Sequence, residues 1–282
     1  MPIFPNGQGL SQGLSQDLAR RDAIRRGGRT GPVAATLAAA AATTLFVAVE
    51  PARSLTVYEV QVTCPVDGQK FKASMVASYT SSGARLDLKP VGDGVIAPYP
   101  YPVCPGNGFV VYKSEFSDSE RAAINAIMAS GEFAKLRGEH TDHYMVAYVK
   151  QRLGADDFAV ASSYLQASWE AERDRPQRVK EYRAKALEKF DAARERGNLN
   201  VDDWWTAAVI GIELKRLAGD FAAAEERLRN LPVQKLDTGE DIAKNAALRR
   251  IIDQIALQAF NRNAEPQLLS DEPMGTVGSG AR

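Results

Sequence analysis

The sequence predicts an α+β fold that is mostly α, with a small β-ribbon followed by an antiparallel helical domain. Between residues 55 and 112, apolar residues alternate with polar ones, a pattern typical of half-buried strands. From residue 117 onward, apolar residues recur every three or four positions, which is typical of amphipathic helices. The chain of 282 residues, 45% hydrophobic and 25% charged, has the composition of an ordinary globular protein.

In the first 54 residues a basic segment precedes an apolar one, which is the order found in export signals. Residues 1–31 are predicted to be a disordered basic region, because they are rich in Gly, Gln and Arg and have no apolar period. The uncharged run from Val33 to Val49 follows the arginines, as in a signal. Residues 32–54 are therefore predicted to be a signal peptide, cleaved before Leu55, or a signal anchor; a buried Ala-rich helix is the remaining alternative.

A basic segment followed by an apolar one predicts that the protein lies outside the cytoplasm. After cleavage the protein would be periplasmic or secreted. Without cleavage it would be a single-pass inner-membrane protein with its bulk outside the cytoplasm, and this anchor would be its one link to the membrane. Residues 55–282 hold 29 basic and 32 acidic groups, which does not fit the clustered positive charge of a nucleic-acid surface. We therefore expect no nucleic-acid partner.

Residues 55–116 are predicted to form a β-ribbon around two turns of one form. Each turn is Cys-Pro, two variable residues and a glycine suited to positive φ: Cys64-Pro65-Val66-Asp67-Gly68 and Cys104-Pro105-Gly106-Asn107-Gly108. Paired Cys-x-x-Cys turns present four thiolates to zinc in a zinc ribbon. Asp67 and Asn107 stand where the second thiolates would be, so the pattern indicates a degenerate zinc ribbon that lacks half its ligands.

Strands are predicted on both sides of these turns. Leu55 to Thr63 leads into the first turn, with Tyr58, Val60 and Val62 on one face, and Phe71 to Tyr79 returns. The segment Pro98 to Pro102 is predicted to be an extended entry strand at a sheet edge or, less simply, a polyproline ligand. Phe109 to Tyr112 is predicted to be a short strand after the second turn.

From about Val62 to about Ala193 the chain resembles a bacterial family catalogued as domain-of-unknown-function family 2225. The similarity lies in the two Cys-Pro turns, in Phe71 and Phe116 after them, and in a helical Tyr-Leu-x-Ala-x-Trp motif that ends at Trp169. The resemblance implies a zinc ribbon fused to tetratricopeptide-like helices, and it implies no activity. The chain departs from the family pattern at both metal positions, Asp67 and Asn107.

If the backbone still folds like such a ribbon, Cys64 and Cys104 lie where two thiolates would share a metal, close enough to be joined. Export supplies an oxidising compartment, so we expect a disulfide between them. Residual metal binding through Cys64, Asp67 and Cys104 and a pair of free buried thiols are the alternatives. We expect no cofactor, and we infer that the zinc of the related ribbons has been lost.

Residues 117–261 are predicted to be a helical, repeat-like domain of antiparallel pairs. A Ser117 to Glu120 capping box starts the first helix, and later helices begin near Thr141, Asp156, Pro176, Trp205, Phe221 and Glu240. The predicted buried residues include Ile124, Tyr144, Leu165, Trp169, Tyr182, Ala186, Phe190, Ala193, Ala208, Ile212, Ala224, Ile242, Ile251, Ile252 and Ile255.

Two of these helices carry the small-residue pattern of a tetratricopeptide unit, where close helix packing needs alanine or glycine. Ala186 and Ala224 occupy equivalent positions but lie 38 residues apart, against a period of 34, so the repeats are degenerate. Residues 262–282 contain Pro266, Pro273 and a Gly-Ser ending, and are predicted to be a disordered tail.

Two groups of residues are candidates for function. His140, Asp142 and His143 could form part of a metal or hydrolase site, although the more ordinary interpretation is that they begin a helix. Trp169 and Trp205 fall on apolar faces and are predicted to be core residues. Trp204 lies off the apolar face and is the candidate for contact with a partner.

The sequence therefore predicts a non-enzymatic exported protein that binds an unidentified protein or peptide of the cell envelope through its helices. It lacks the Gly-x-Ser-x-Gly, His-Glu-x-x-His and phosphate-loop patterns, and we name no catalytic, cofactor or metal residue. The alternative function is a metal-binding protein or hydrolase that uses His140, Asp142 and His143 near the ribbon.

Overall fold

The computed structural model describes residues 56–78, 81–92, 94–237 and 241–270. The predicted basic region, the signal segment and residues 271–282 lie outside them. Within them the fold is mostly helical, with a small antiparallel ribbon as predicted. The ribbon consists of β1 (Thr56–Thr63) and β2 (Lys70–Ser78), which pair in the register Val60 to Ala73. Val62 and Met75 are buried against the helices, as their alternation predicts.

The two Cys-Pro turns have the same hydrogen bonds. The Cys64 N–H donates to the Gln69 carbonyl, and the Gly68 N–H donates to the Cys64 carbonyl, both at 2.9 Å. In the second turn the Cys104 N–H donates to the Phe109 carbonyl at 2.8 Å, and the Gly108 N–H donates to the Cys104 carbonyl at 2.9 Å. Gly68 and Gly108 have φ of 73° and 74°, a region that L side chains rarely adopt, so glycine is required at these two positions.

Cys64 and Cys104 are joined by a disulfide, with their Cα atoms 5.6 Å apart. Both cysteines are buried and belong to the larger of two hydrophobic clusters. The predicted pair is therefore present, and the bond ties the turn after β1 to a turn 40 residues later. A disulfide of this kind indicates an oxidising compartment outside the cytoplasm.

The segment between the two turns forms a second hairpin that the sequence analysis missed. Its strands β3 (Gly83–Ala84) and β4 (Pro90–Val91) are only two residues each. The tip between them inserts Leu86 and Leu88 into the smaller cluster, among side chains of the C-terminal helices. The predicted strand Phe109 to Tyr112 is wrong, because this segment makes a single bridge between Val103 and Val110.

Eight α-helices follow in the described part of the chain. They are α1 (Asp118–Ala129), α2 (Glu132–Glu139), α3 (Asp142–Arg152), α4 (Asp157–Asp174), α5 (Val179–Arg196), α6 (Val201–Leu217), α7 (Phe221–Arg229) and α8 (Ile242–Phe260). Short 3-10 turns at Pro176–Arg178 and Val233–Leu236 precede α5 and α8.

The predicted capping box at the start of α1 is present, since Ser117 Oγ accepts the Glu120 N–H and Glu120 Oε2 accepts the Ser117 N–H. Asp156 caps α4 with a single bond, in which its carboxylate accepts the Ala159 N–H. Each of these side chains satisfies an N–H group that the helix itself leaves without a partner.

Consecutive helices from α3 to α7 pack in antiparallel pairs. Lys189, near the end of α5, pairs with Asp157 at the start of α4, at 3.2 Å. Arg183, near the start of α5, pairs with Glu172 near the end of α4, at 3.0 Å. The small residues predicted to allow close approach, including Ala186, are fully buried.

Two details of the helical prediction are wrong. Helix α2 was missed, because it is short, follows Gly131, contains Gly138 and has few apolar residues. Phe133 is its one buried residue. Ile242 was predicted to be buried and is 81% exposed. It is the first residue of α8, where the chain has not yet met its packing partners.

The predicted disordered tail is also wrong for residues 262–270. The Leu86 N–H donates to the Gln267 carbonyl at 2.9 Å, and the Leu269 N–H donates to the Ala84 carbonyl at 2.8 Å, so this segment pairs with β3. The buried Arg216 side chain donates to the Glu265 carbonyl at 3.0 Å. Composition indicated a flexible tail. These backbone hydrogen bonds fix the segment instead, and they are made to residues far away in sequence.

A buried ionic cluster joins the second hairpin to the helices. The Asp87 carboxylate is 1% exposed and accepts hydrogen bonds from Arg85 and from Trp169 Nε1, the latter at 3.0 Å. Arg85 also donates to both oxygens of Glu172, at 2.9 and 2.8 Å. Lys89 pairs with the same glutamate at 2.7 Å. We name this group the hairpin junction, and it attaches the tip to α4.

We predict that removing the disulfide with Cys64→Ala and Cys104→Ala lowers the free energy of unfolding by about 2–4 kcal/mol. The closed loop restricts the unfolded chain, so the oxidised wild type gains this stability. Denaturant unfolding with and without reductant measures it. Reduced wild type should match the double variant, whereas a wild type insensitive to reductant would contradict the prediction.

We predict that Asp87→Asn lowers the free energy of unfolding by about 1.5–3 kcal/mol, because it removes the buried carboxylate that is bonded to Arg85 and Trp169 and leaves Glu172 as the acidic partner of Arg85. The control is Glu59→Gln, which breaks an exposed ion pair to Lys72 and should change stability by less than about 1 kcal/mol. Urea unfolding of the two variants compares them. Equal effects would mean that the hairpin junction contributes no more than a surface pair.

Candidate functional site

One concave surface of the described chain is a groove formed by α5, α6 and α7, which we name the α5–α7 groove. It encloses about 580 Å³ and is open to solvent. Ala208 and Ile212 of α6 form its apolar floor. Its walls carry Asp191, Arg194, Glu195, Trp204, Lys215, Ala223, Glu226, Arg227, Asn230 and Leu231. Such a surface suits an extended segment better than a small enclosed ligand.

One wall of the groove is a stacked pair of Trp204 and Arg194. The Arg194 guanidinium lies over the Trp204 ring, with its carbon 5.1 Å from the ring centroid. Behind it, the Trp205 ring packs edge-on against Trp204, at 5.1 Å between centroids. The half-buried Trp204 ring is therefore in contact both with Trp205 and with the Arg194 cation.

An ion pair crosses α6 beside the groove floor. Arg227 of α7 donates to both carboxylate oxygens of Asp191 on α5, at 2.8 and 2.6 Å. It passes over Gly211 of α6, where an added Cβ would lie 2.9 Å from Arg227 Nη1. A glycine at this point gives the guanidinium room to reach across. The bidentate pair fixes α5 and α7 on either side of α6.

The three tryptophans have different environments. Trp169 and Trp205 are buried, at 3% and 9% exposure, which confirms the predicted core positions. Trp204 lines the groove, and its role in binding a partner stays a prediction. Arg194 was missed, because no pattern in the sequence singles it out. Only the packing of α5 against α6 places its guanidinium over the Trp204 ring.

His140 lies in an aromatic pocket. Its ring stacks on Tyr144, with centroids 3.7 Å apart, and its Nδ1 lies 2.9 Å from Tyr182 Oη. Burial of the ring is the main cause that lowers the His140 pKa, with a further contribution from Arg178. The neutral imidazole is thus favoured, and its surroundings are those of a packed core residue.

His143 and Asp142 face other partners. His143 Nδ1 lies 3.0 Å from Glu170 Oε2, and the Asp142 carboxylate pairs with Arg137 at 2.8 Å. Burial raises the pKa of Asp142, against the opposing effect of Arg137. The structure therefore gives His140, Asp142 and His143 three different sets of partners and does not bring them together as one site.

The two degenerate metal-ligand positions do lie together. Asn107 Nδ2 donates to Asp67 Oδ2 at 2.9 Å and lies 3.4 Å from the Cys64 sulfur. Asp67 also accepts the Gln69 N–H and Asn107 accepts the Phe109 N–H, at 3.0 and 2.9 Å. These side chains fasten the turns to each other through hydrogen bonds. Among the residues described, no group of three or more His, Cys, Asp and Glu is placed to hold a metal.

One serine and lysine pair has the contact expected of an activated nucleophile. Lys150 Nζ lies 3.0 Å from Ser163 Oγ, and burial lowers the pKa of Lys150 to about 8. Ser163, however, is only 2% exposed and donates to the Ala159 carbonyl within α4. A substrate could not reach this hydroxyl, so we interpret the pair as part of the packing between α3 and α4.

We predict that Lys150→Met raises the free energy of unfolding by up to about 3 kcal/mol at pH 7. The unfolded chain binds the lysine proton up to its ordinary pKa of 10.5, but the folded protein releases it near pH 8. Burying the charge therefore opposes folding fully below about pH 8, and this cost disappears as the pH rises to about 10.5.

Unfolding curves of wild type and variant at pH 7 and pH 10 measure the effect. The advantage of the variant should shrink at the higher pH. Exposed Lys135, changed to Met, is the control and should show no such trend. A Lys150→Met variant less stable than wild type at pH 7 would contradict the prediction.

In the described part of the chain no helix is both long enough and apolar enough to cross a membrane. No family model, curated protein or solved structure matches the chain. The resemblance to domain-of-unknown-function family 2225 therefore stays a prediction.

Proposed function

We propose that this protein is a non-enzymatic exported scaffold that binds an extended segment of another envelope protein in the α5–α7 groove. The observation that carries the proposal is the Trp204 ring, which is half-buried in an open groove and stacked beneath Arg194. Tryptophan, tyrosine and arginine are enriched among the few residues that contribute most of the free energy at protein interfaces. Tryptophan does so because it buries a large area at low cost in side-chain entropy, and arginine because it forms several directed hydrogen bonds.

The rigidity of the groove supports this proposal. Asp191 and Arg227 hold α5 and α7 across α6, and Trp205 supports the Trp204 ring from behind. A surface held in advance loses little conformational entropy when a ligand binds. The groove is also open, so it does not exclude water as a site for chemistry does.

We further propose that the helices are degenerate tetratricopeptide-like repeats and that the ribbon is a zinc ribbon whose metal was replaced. The antiparallel pairing of α4 with α5 and the buried alanines support the first part. Two turns with equal hydrogen bonds, closed by a disulfide, support the second. The basic and apolar order of residues 20–49 supports export to the periplasm.

We predict that a photoreactive phenylalanine derivative at Asn230 cross-links a partner in living bacteria, and that one at Arg229 does not. Both positions are exposed on the same helical turn, but only Asn230 lines the groove. Adding Trp204→Leu should reduce the Asn230 adduct about tenfold or more, since it removes the aromatic face of the groove.

Phe260→Leu is the matched control, because Phe260 is a 79% exposed aromatic residue on α8, outside the groove. This change should leave the adduct unaltered. Equal adducts at Asn230 and Arg229, or an adduct indifferent to Trp204→Leu, would argue against the proposed groove.

A further inference from the structure

Resting on the proposed function, we propose that the α5–α7 groove selects acidic segments and that Arg194 binds the ligand carboxylate. The ligand class is a peptide with a carboxylate, whether from an Asp or Glu side chain or from a chain end. Trp204 would lie beside the carboxylate and contact the neighbouring apolar part of the peptide.

The charges of the groove leave Arg194 without an acidic partner. Arg227 is neutralised by Asp191, at 2.6 Å, and Lys215 by Asp220, at 2.9 Å. Among the residues described, the Arg194 side chain forms no ion pair and no hydrogen bond. Its guanidinium is stacked on the Trp204 ring instead. Arg194 is therefore the cation of the groove whose charge a ligand would balance.

The surroundings of Arg194 make this charge costly. Its Nε is buried and has no hydrogen-bond partner. Burial is the main cause that lowers the Arg194 pKa, and the nearby Arg227 lowers it further, against the opposing effect of Asp191. A buried donor without a partner loses its hydration and gains nothing in return. The enclosed Nε stays out of reach, but a carboxylate in the groove would stabilise the charge of the guanidinium as a whole.

A carboxylate fits this position better than a more highly charged anion. The flat guanidinium donates two parallel hydrogen bonds to a carboxylate, and stacking on Trp204 restricts its orientation in advance. Glu195 and Glu226 are exposed on the rim of the groove. These acids would repel phosphate groups and polyanions, so a single carboxylate is the anion that the groove tolerates.

Arrays of acetylated hexapeptides test the inference with the full oxidised protein. One set carries internal Asp or Glu and an amidated end, a second has no acidic residue but a free terminal carboxylate, and a third has neither. We expect binding to the first or second set and not to the third, and the favoured set identifies the source of the carboxylate.

Arg194→Gln should weaken binding to the favoured set about 10- to 100-fold, the usual value of hydrogen bonds to a charged group. Arg194→Lys keeps the charge without the two-pronged geometry and should recover part of the loss. Arg229→Gln on the exposed side of α7 is the control and should bind like wild type.

Equal binding to all three sets, with loss in Trp204→Leu, would overturn the acidic selectivity and leave the proposed function intact. Binding to the acidic sets that survives Arg194→Gln would overturn the role of Arg194. Absence of binding to every set, together with absence of a cross-link at Asn230, would overturn both proposals.

Discussion

The buried carboxylate of Asp87 is the interaction on which the arrangement of the two halves depends. A charge that is almost fully removed from water is tolerated only if its oxygens are bonded, and here Arg85 and Trp169 bond them. Trp169 belongs to α4, and Arg85 also reaches Glu172 of the same helix. The segment between the two turns is consequently part of the helical core, and both hydrophobic clusters contain residues of the two halves.

The disulfide acts on the same segment from its other end. Residues 64 and 104 bracket the hairpin whose tip holds Asp87, so their bond shortens the loop that must be ordered to place it. Asp67 and Asn107 add a hydrogen bond between the turns, at the positions where a zinc ribbon has metal ligands. Covalent and hydrogen bonds thus hold together two turns of a form that elsewhere surrounds a metal ion.

Local patterns predicted much of this fold. The period of the apolar residues indicated helices containing Ala186 and Phe190, and the capping box marked the start of α1, because these signals depend only on neighbouring residues. The β3–β4 hairpin and residues 262–270 were missed, since each is ordered by partners far away in sequence. Nothing in the local pattern singled out Arg85, Asp87 or Lys89, because their partners Trp169 and Glu172 lie more than 80 residues away in sequence.

In the candidate site, too, one residue was identified from the sequence and another only from the structure. Trp204 could be selected from the sequence, because it is an aromatic residue that lies off the apolar face of its helix. Arg194 could not, because its significance comes from the side-by-side packing of α5 and α6. The role of a charged residue depends on the groups that lie near its side chain, and only the tertiary structure shows which groups these are.

If the groove is the binding surface, the environment of Trp204 must change on binding while that of the core tryptophans does not. Fluorine NMR of protein labelled with 5-fluorotryptophan gives three resonances, one for each tryptophan in the chain. On titration with a mixed hexapeptide pool, the account predicts a shift of the Trp204 resonance alone, with Trp169 unchanged. Saturable binding that leaves the Trp204 resonance in place would contradict it.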